Sequence, residues 1–428
     1  MKNSARFATI ITYLINYYQV FMAKVNTDSN LIVEILERGV EKIYPNRENL
    51  EKKLKSGEVL RLYCGFDPSA SSLHIGNAIA LIKLAQFQRL GHKVIFLVGT
   101  FTGMIGDPTD KGSVRKQLSR EEVTANAVNF QKQAGAYLNF TGDNPAELRY
   151  NHEWHDQLSF KDLLGLASNF TVQQMIQRDM FQKRLEEEKP IFLHEFLYPL
   201  AQAYDSIVLD VDVEVGGNDQ LFNMMCGRDL LKALKQKDKD VLTLKLLTDS
   251  EGKKMGKSEG NIVMLDESPN NMHGQVMSWA DDILSSAFEL CTFLPWAEVK
   301  DIQAGLSSGK LNPRDVKMKL AWEITRINHG EKDADASQDY FIKTVQNKEM
   351  PDEVESKVVP AGNYKIADLL VALNLCSSRG EARRLVDQGG IKVGLVNNMK
   401  TLTDSQAEIV VSPGLIIQRG KRQFIKIS

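Results

Sequence analysis

From Leu31 onward the chain alternates between segments whose apolar residues recur at helical spacing and short runs that are apolar throughout. Leu31, Ile32, Ile35 and Leu36 fall on one helical face and predict a helix over 31–43. Residues 60–66 read as a strand, and the turn-forming run Asp67-Pro68-Ser69-Ala70-Ser71-Ser72 ends it. Leu73-His74-Ile75-Gly76-Asn77 then opens a helix that sets Ile79, Ile82, Phe87 and Leu90 on a common side and closes at Gly91, a residue type suited to the left-handed end of a helix. Residues 94–98 are apolar without alternation, as in a parallel strand covered on both faces. Strand, helix and strand in this order predict a right-handed crossover, and with it an α/β fold built on a doubly wound, Rossmann-like parallel sheet.

Farther along, 242–247 is again apolar, 272–330 is helical in character, and Asn312-Pro313-Arg314-Asp315 marks a helix start within it. Residues 331–362 carry many acidic side chains with Pro351 and Pro360 and read as a tether. The last segment has Ile366, Leu369, Leu370 and Leu373 at helical spacing, followed by short strands, which predicts a small α+β domain. A length of 428 residues exceeds what one core usually organises. The expected division is 1–26, an N-terminal extension; 27–248, the sheet domain; 249–330, a loop and helical domain; 331–362, a linker; and 363–428, the terminal domain.

Composition changes this picture in three places. A net charge of −2 rules out a uniformly basic nucleic-acid binder, so any positive patch is regional. From Tyr364 onward ten Lys and Arg face five Asp and Glu, an excess of five positive charges. Cys64, Cys226, Cys291 and Cys376 lie far apart with no C-x-x-C pair, which argues against a zinc site or a disulfide scaffold and fits a reducing cytoplasm. The seven histidines show no metal-ligand spacing; His152 and His155 read as a solvated pair, and no structural metal is expected. Residues 7–23 are uncharged, but seventeen residues carrying Asn16, Gln19 and three tyrosines are short for a membrane span. Met22 begins a more ordinary start, so residues 1–21 are expected to be an untranslated upstream extension, and no membrane contact is expected.

Two elements carry candidate chemistry. At the first turn, the N-terminus of a helix attracts anions, His74 can donate to a phosphate oxygen, and Gly76 removes a side chain where an adenine would lie against the backbone. Lys253-Lys254-Met255-Gly256-Lys257-Ser258 sets small residues between lysines, suited to folding over a triphosphate and following a departing pyrophosphate. Alone, an H-x-G before a helix is more often a cap, and a lysine-rich loop more often a solvated surface run.

In this order, the two elements resemble the paired signature motifs of class I aminoacyl-tRNA synthetases. The flanking residues are similar to one branch, the tyrosyl-tRNA synthetase family, in its bacterial-type form. They are Leu62-Tyr63-Cys64-Gly65-Phe66-Asp67-Pro68, Gly103-Met104-Ile105-Gly106-Asp107-Pro108, Tyr198-Pro199-Leu200-Ala201-Gln202-Ala203-Tyr204-Asp205 and Gly216-Gly217-Asn218-Asp219-Gln220. The resemblance spans nearly everything from residue 27 to the C-terminus. Two positions depart from the pattern: Asn77 stands where the family usually has a second histidine, and Gly256 holds the central small position of the lysine motif.

The resemblance implies a tyrosine pocket of Tyr63, Asp107, Tyr198, Gln202, Asp205 and Gln220, with Tyr63 and Asp205 on the phenol and Asp107, Tyr198 and Gln202 on the ammonium. Tyr204 is left to core packing. For ATP the resemblance implies Cys64, Asp67, Ser69, His74, Gly76 and Asn77 on one side, with Gly217 and Asp219 toward the ribose. Lys111 and Arg115 look like the family's mobile basic pair, closing on pyrophosphate with Lys254 and Lys257. Magnesium would arrive with ATP, and no protein-bound metal is implied. The terminal segment, with Arg379, Arg383, Arg384, Lys421 and Arg422, resembles an S4-type RNA-binding module. The implied activity is tyrosine–tRNA ligation, with L-tyrosine, ATP and tRNA(Tyr) as partners. The family is homodimeric through an insertion, here about 118–190, in which Phe160, Leu163, Leu164 and Phe170 could serve an interface or a core.

Three alternatives share parts of this pattern. A tryptophanyl-tRNA synthetase has both motifs, but the Tyr63 and Asp205 pair suits a phenol better than an indole. A non-catalytic RNA-binding paralogue would be expected to lose His74 or the lysine loop. A small-molecule nucleotidylyltransferase has no need of the terminal module.

Overall fold

The computed structural model describes residues 25–109, 117–248, 262–347, 354–395, 398–420 and 423–428. Two compact units divide at residues 331 and 332. The first is built on a six-stranded sheet in the order β1-β6-β5-β2-β3-β4. Its strands are β1 (Val40–Tyr44), β2 (Arg61–Phe66), β3 (Lys93–Val98), β4 (Glu147–Tyr150), β5 (Val213–Gly217) and β6 (Asp240–Leu244). All neighbours are parallel except β1, which runs antiparallel to β6 at the edge. The order departs in both directions from β2, so ligands are favoured at the carboxyl ends of β2 and β5, where the winding reverses.

Helix α1 (Ser29–Glu37) precedes β1, and three helices frame those strand ends: α2 (Ile75–Arg89), α3 (Leu197–Leu209) and α4 (Leu221–Lys235). Helix α2 is buried on nearly every side, from Ile75 to Gln88, because it crosses between β2 and β3 beneath other elements. Its end agrees with the sequence, since Gly91 takes a left-handed φ of 94° just past the helix.

The first helix is shorter than its sequence suggests. Helix α1 stops at Glu37, and the remainder of the predicted helix becomes β1. Gly39 turns the chain at φ 67°, and Arg38 is drawn inward. Its guanidinium donates to the carbonyls of Glu289 (3.0 Å), Thr292 (2.6 Å) and Leu294 (2.7 Å), satisfying the open end of the helix Leu284–Cys291. Leu31 is also off the buried face, 41% exposed, whereas Ile32, Ile35 and Leu36 are buried as expected.

The stretch expected as an insertion, 118–190, is only partly outside the sheet. Residues Glu147–Tyr150 are β4, in register with Ile95 to Val98 of β3. Beyond it the helices Phe160–Ala167 and Val172–Ile176 form a separate apolar cluster with α3 and α4 around Leu166, Met175, Leu200 and Cys226, and on the helix Asp179–Glu186 the buried Phe181 packs against Phe196 with ring centroids 4.9 Å apart. On them Phe160 is 75% and Leu164 57% exposed, while Leu163 and Phe170 are half-buried.

After β6 the first unit continues through four helices from Pro269 to His329, which share the main core through Met272, Leu284, Phe288 and Leu320. The acidic stretch 331–362 is not a bare tether: Glu331–Phe341 is helical and continues as one π-helical turn, Ile342–Gln346. Alanines and long side chains in that segment favour a helix despite the charge. The second unit packs Ile366–Ala372 and Arg379–Asp387 on a five-stranded sheet, with Ile366, Leu370, Val386, Ile417 and Ile427 in its core. Among the described residues no helix is long and apolar enough to cross a membrane.

Candidate active site

One cavity opens at the carboxyl ends of β2 and β5, and every described residue expected to bind tyrosine or ATP lines it: Tyr63, Cys64, Asp67, Ser69, His74, Gly76, Asn77, Asp107, Tyr198, Gln202, Asp205, Gly217, Asp219 and Gln220. They come from five separate stretches, which the sheet topology brings together. Lys111, Arg115, Lys254 and Lys257 lie outside the described residues, as do Lys421 and Arg422.

Helix α3 supplies one wall. Tyr198, Gln202 and Asp205 are spaced four and three apart, so a single helical face presents all three to the cavity. Asp205 is deepest, 2% exposed. Its Oδ1 accepts from Trp154 Nε1 (2.8 Å) and His155 Nε2 (2.9 Å), and its Oδ2 accepts from Asn151 Nδ2 at a longer 3.3 Å. Burial raises the pKa of this carboxyl, and the donations from His155, Trp154 and Asn151 oppose the rise. Oδ2, with only the long Asn151 contact, is the oxygen with capacity for a ligand hydroxyl.

His155 therefore corrects the expectation of a solvated pair. It is buried, stacked on Phe101 with ring centroids 4.6 Å apart, and bonded to Asp205, while His152 is bonded to Thr100 (2.7 Å). The short helix His152–His155 turns Trp154 and His155 inward together. Tyr204 packs beside the His155 ring at 5.6 Å and is absent from the cavity lining, in keeping with a core role.

Tyr63 stands opposite on β2, 1% exposed, its hydroxyl 3.0 Å from Ser206 Oγ. Burial first, then the charges of Glu214 and Asp205, pushes its phenol well above the ordinary range, so it stays protonated and able to donate. A deep slot flanked by a phenol donor and a carboxylate acceptor is matched by a ligand hydroxyl that both accepts and donates.

Nearer the mouth the acceptors gather. Tyr198 donates to Asp67 Oδ2 (2.8 Å), and Thr102 donates to Asp67 Oδ1 (2.6 Å). Gln220 Nε2 donates to Asp107 Oδ2 (2.6 Å), and Thr109 holds Oδ1 by its amide (3.0 Å) and hydroxyl (2.6 Å). Arg178, from the helical segment, donates to Thr109 Oγ1 (2.6 Å) and lies 3.9 Å from Asp107. Tyr198 commits its hydroxyl hydrogen to Asp67 and Gln202 donates its amide to Glu214 Oε1 (3.0 Å), so their oxygens, with the two carboxylates, form an acceptor ring suited to an ammonium. Asp67, expected on the nucleotide side, is thus bonded to Tyr198, expected on the ammonium.

At the other side the N-terminus of α2 faces the cavity with His74 as its N-cap. Asn77 Oδ1 accepts from the His74 amide (3.0 Å), so this asparagine completes the cap and keeps its own NH2 for donation. A Cβ at Gly76 would stand 3.0 Å from the His74 ring, so the glycine also seats that imidazole. Asp219 sits in the 3-10 turn Asn218–Gln220 directly after β5, at the rim. Cys64 is a buried thiol raised by burial and by Glu214 and Asp219, hence protonated and unreactive.

Sequence reading missed the supports: Asn151, Trp154 and His155 behind Asp205, Thr102 and Gly99 behind Asp67, and Ser206, Glu214 and Lys239 behind Tyr63. One signal was available, since Ser206 follows Asp205 directly. The others lie on elements that only the sheet order makes neighbours.

In the second unit Arg379, Arg383 and Arg384 are exposed on one helix, Arg379 being paired to Asp368 at 2.5 Å. The exposed guanidinium groups of Arg383 and Arg384 are accessible to a partner's phosphates.

Residues 55–346 match the family model described as "tRNA synthetases class I (W and Y)", and residues 346–427 match one described as "Tyrosine–tRNA ligase SYY-like C-terminal domain". The tyrosine–tRNA ligase of Thermotoga maritima is 41% identical over 398 residues, covering 92% of this chain and 97% of that protein. Tyrosine–tRNA ligase 2 of Vibrio vulnificus is 42% identical over 396 residues, covering 92% and 97%. Among solved structures, the C-terminally truncated mitochondrial tyrosyl-tRNA synthetase of Aspergillus nidulans shares the fold with a TM-score of 0.61 at 24% identity, over 72% of this chain and 92% of that one. The first model serves two amino acids and does not separate them. The second model, with relatives of this identity along nearly the whole length, does, and the chain belongs to the tyrosyl-tRNA synthetase family of class I aminoacyl-tRNA synthetases.

Proposed function

We propose that this enzyme activates L-tyrosine with magnesium-bound ATP, forming tyrosyl adenylate and pyrophosphate, and then transfers the tyrosyl group to the 3′-terminal ribose of tRNA(Tyr). The observation that carries the reading is the pairing of a protonated phenol, Tyr63, with an open oxygen on buried Asp205 at the blind end of the cavity. An indole offers a donor to Asp205 but no acceptor for Tyr63, which disfavours tryptophan. The acceptor ring of Asp67, Asp107, Tyr198 and Gln202 holds the ammonium, which leaves the carboxylate directed toward the α2 N-terminus.

There the carboxylate oxygen attacks the α-phosphorus of ATP in line, the bond to the bridging oxygen breaks, and pyrophosphate departs. No covalent enzyme intermediate and no general base is required, because positioning and charge stabilisation carry such a step. His74, Asn77 and the α2 amides meet phosphate and ribose oxygens, and Asp219 suits a ribose hydroxyl. Lys111, Arg115, Lys254 and Lys257 are assigned to the departing pyrophosphate on the family resemblance. A ribose hydroxyl of tRNA then displaces AMP. Pyrophosphate exchange measured with each of twenty amino acids tests the assignment: tyrosine alone should support it, and exchange with tryptophan or with none would reject it.

The second unit is assigned to tRNA, because its positive excess includes the exposed Arg383 and Arg384. Removing residues 363–428 is expected to leave tyrosine-dependent exchange within about threefold while tRNA charging falls by more than about 10²-fold; equal losses would contradict this division of labour. The helices from Phe160 to Glu186 are assigned to a homodimer interface, since Phe160 and Leu164 lie exposed on one helix as an apolar patch. Phe160→Asp should halve the mass seen in analytical ultracentrifugation, and an unchanged mass would remove that interface. The four buried free thiols accord with a cytoplasmic enzyme.

A further inference from the structure

Behind the cavity wall lie Lys239 and Ser206, which tyrosine activation leaves without a role, joined to Glu214 of the cavity lining. Lys239, in the connection from α4 to β6, is fully buried, as is Ser206 of α3, and Glu214 of β5 is 1% exposed. Lys239 Nζ donates to Glu214 Oε2 and, at 2.5 Å, to Ser206 Oγ. The ammonium also stands 5.9 Å from the centroid of the Tyr63 ring. The slot is built for it: a Cβ at Gly227 of α4 would fall 2.5 Å from Nζ and 2.8 Å from Ser206 Oγ. Glu214 is the register partner of Tyr63 on the neighbouring parallel strand, so the pair sits beside the tyrosine and not at a distance.

Burial lowers the pKa of Lys239 and the paired Glu214 carboxylate opposes the fall; held as an ammonium by that pair, Lys239 narrows the direction of this hydrogen-bond chain. An ammonium can only donate, so Ser206 Oγ accepts from Lys239 and keeps one proton to give. Two acceptors are in reach: Tyr63 Oη at 3.0 Å and Glu214 Oε2 at 3.4 Å. The carboxylate oxygen already receives the lysine, and the nearer site is the phenol. With Ser206 donating to Tyr63 Oη, the Tyr63 O–H is turned toward the cavity. Lys239 and Ser206 thereby orient the Tyr63 hydroxyl as a donor, and the ligand must accept there and donate to Asp205. The other oxygen of Glu214 takes the Gln202 amide, so one carboxylate also turns the Gln202 oxygen toward the ammonium.

We infer that Lys239, acting through Ser206, is a positioning residue that sets the direction of the hydrogen-bond chain Lys239→Ser206→Tyr63→ligand hydroxyl, and so contributes to selection of tyrosine over phenylalanine. The inference rests on the proposed function and specifies how its phenol slot is polarised. Removing Lys239 alone would strand Glu214 in the core, so the test uses Glu214→Gln/Lys239→Met, which leaves no buried charge, and independently Ser206→Ala, which is nearly isosteric. In amino-acid-dependent pyrophosphate exchange, both are expected to lower the tyrosine-to-phenylalanine ratio of kcat/KM by about three- to tenfold, the worth of one neutral hydrogen bond. For Ser206→Ala the loss should lie in KM for tyrosine, with phenylalanine unaffected; the double variant, whose Glu214 also orients Gln202, should add a smaller loss common to both amino acids, and adding Tyr63→Phe to either variant should cost little more. An unchanged ratio, equal losses for both amino acids, or a Tyr63→Phe effect that simply adds would overturn the inference. Absence of tyrosine-dependent exchange in the parent chain would instead overturn the functional assignment beneath it.

Discussion

Asp205→Asn is expected to lower kcat/KM for tyrosine in pyrophosphate exchange by about 10²–10³-fold, while the residual turnover of phenylalanine changes far less. Trp154 and His155 both donate to Oδ1, and Asn151 donates to Oδ2. An amide has one oxygen for these two positions. If its nitrogen takes the Oδ1 place it meets two donors; if it takes the Oδ2 place it meets Asn151 and the ligand hydroxyl. The first orientation strands Trp154 and His155 and is disfavoured; the second sets an amide donor where the ligand hydroxyl needs a carboxylate acceptor, and truncating one side of such a buried charged hydrogen bond costs about 2–5 kcal/mol. Phenylalanine brings no hydroxyl to this point and so loses no bond. Parallel losses for both amino acids would mean that Asp205 shapes the site without reading the phenol.

Gly99→Ala is expected to reduce kcat/KM for tyrosine by about 10²-fold or more, although Gly99 carries no side chain to touch a ligand. An added Cβ would lie 1.9 Å from Asp67 Oδ1 and 2.4 Å from Thr102 Oγ1. The backbone has no freedom to withdraw, because Gly99 N donates to Phe66 O (2.9 Å) and Gly103 N donates to Gly99 O (2.8 Å). Asp67 must swing away, losing both Thr102 and Tyr198 and opening the acceptor ring. Thermal unfolding should shift by no more than about 1–3 kcal/mol of overpacking, so the folded fraction remains assayable. A KM for tyrosine within twofold of the parent would show that Asp67 has another rotamer that serves.

The part of this site that sequence made legible is the part written in local spacing. The turn from β2 into α2, the Tyr198, Gln202 and Asp205 segment and the Gly217 to Gln220 turn each carry recognisable residues within a few positions, and all of them meet in one cavity. What sequence did not reveal depends on partners far along the chain. His155 reads as a surface residue because its neighbours are polar, yet the short helix that holds it is folded against α3, fifty residues later. Lys239 looks like one more lysine in a charged connection, and its burial follows only from β5 and β6 lying side by side. The same cause explains the fold-level differences. Residues 38–44 have helical periodicity, but β6 offers an open edge and Arg38 finds carbonyls near residue 290, so tertiary contacts override local preference. Residues 147–150 are too short and mixed to announce themselves as a strand, and become one by pairing with β3.

A crystal structure with a non-hydrolysable tyrosyl-adenylate analogue tests the account most directly. The phenol oxygen should lie within about 2.6–3.0 Å of both Tyr63 Oη and Asp205 Oδ2, with the α-amine in the ring of Asp67, Asp107, Tyr198 and Gln202 and the ribose beside Asp219. A phenol seated away from Tyr63 and Asp205, or an analogue bound outside this cavity, would contradict it.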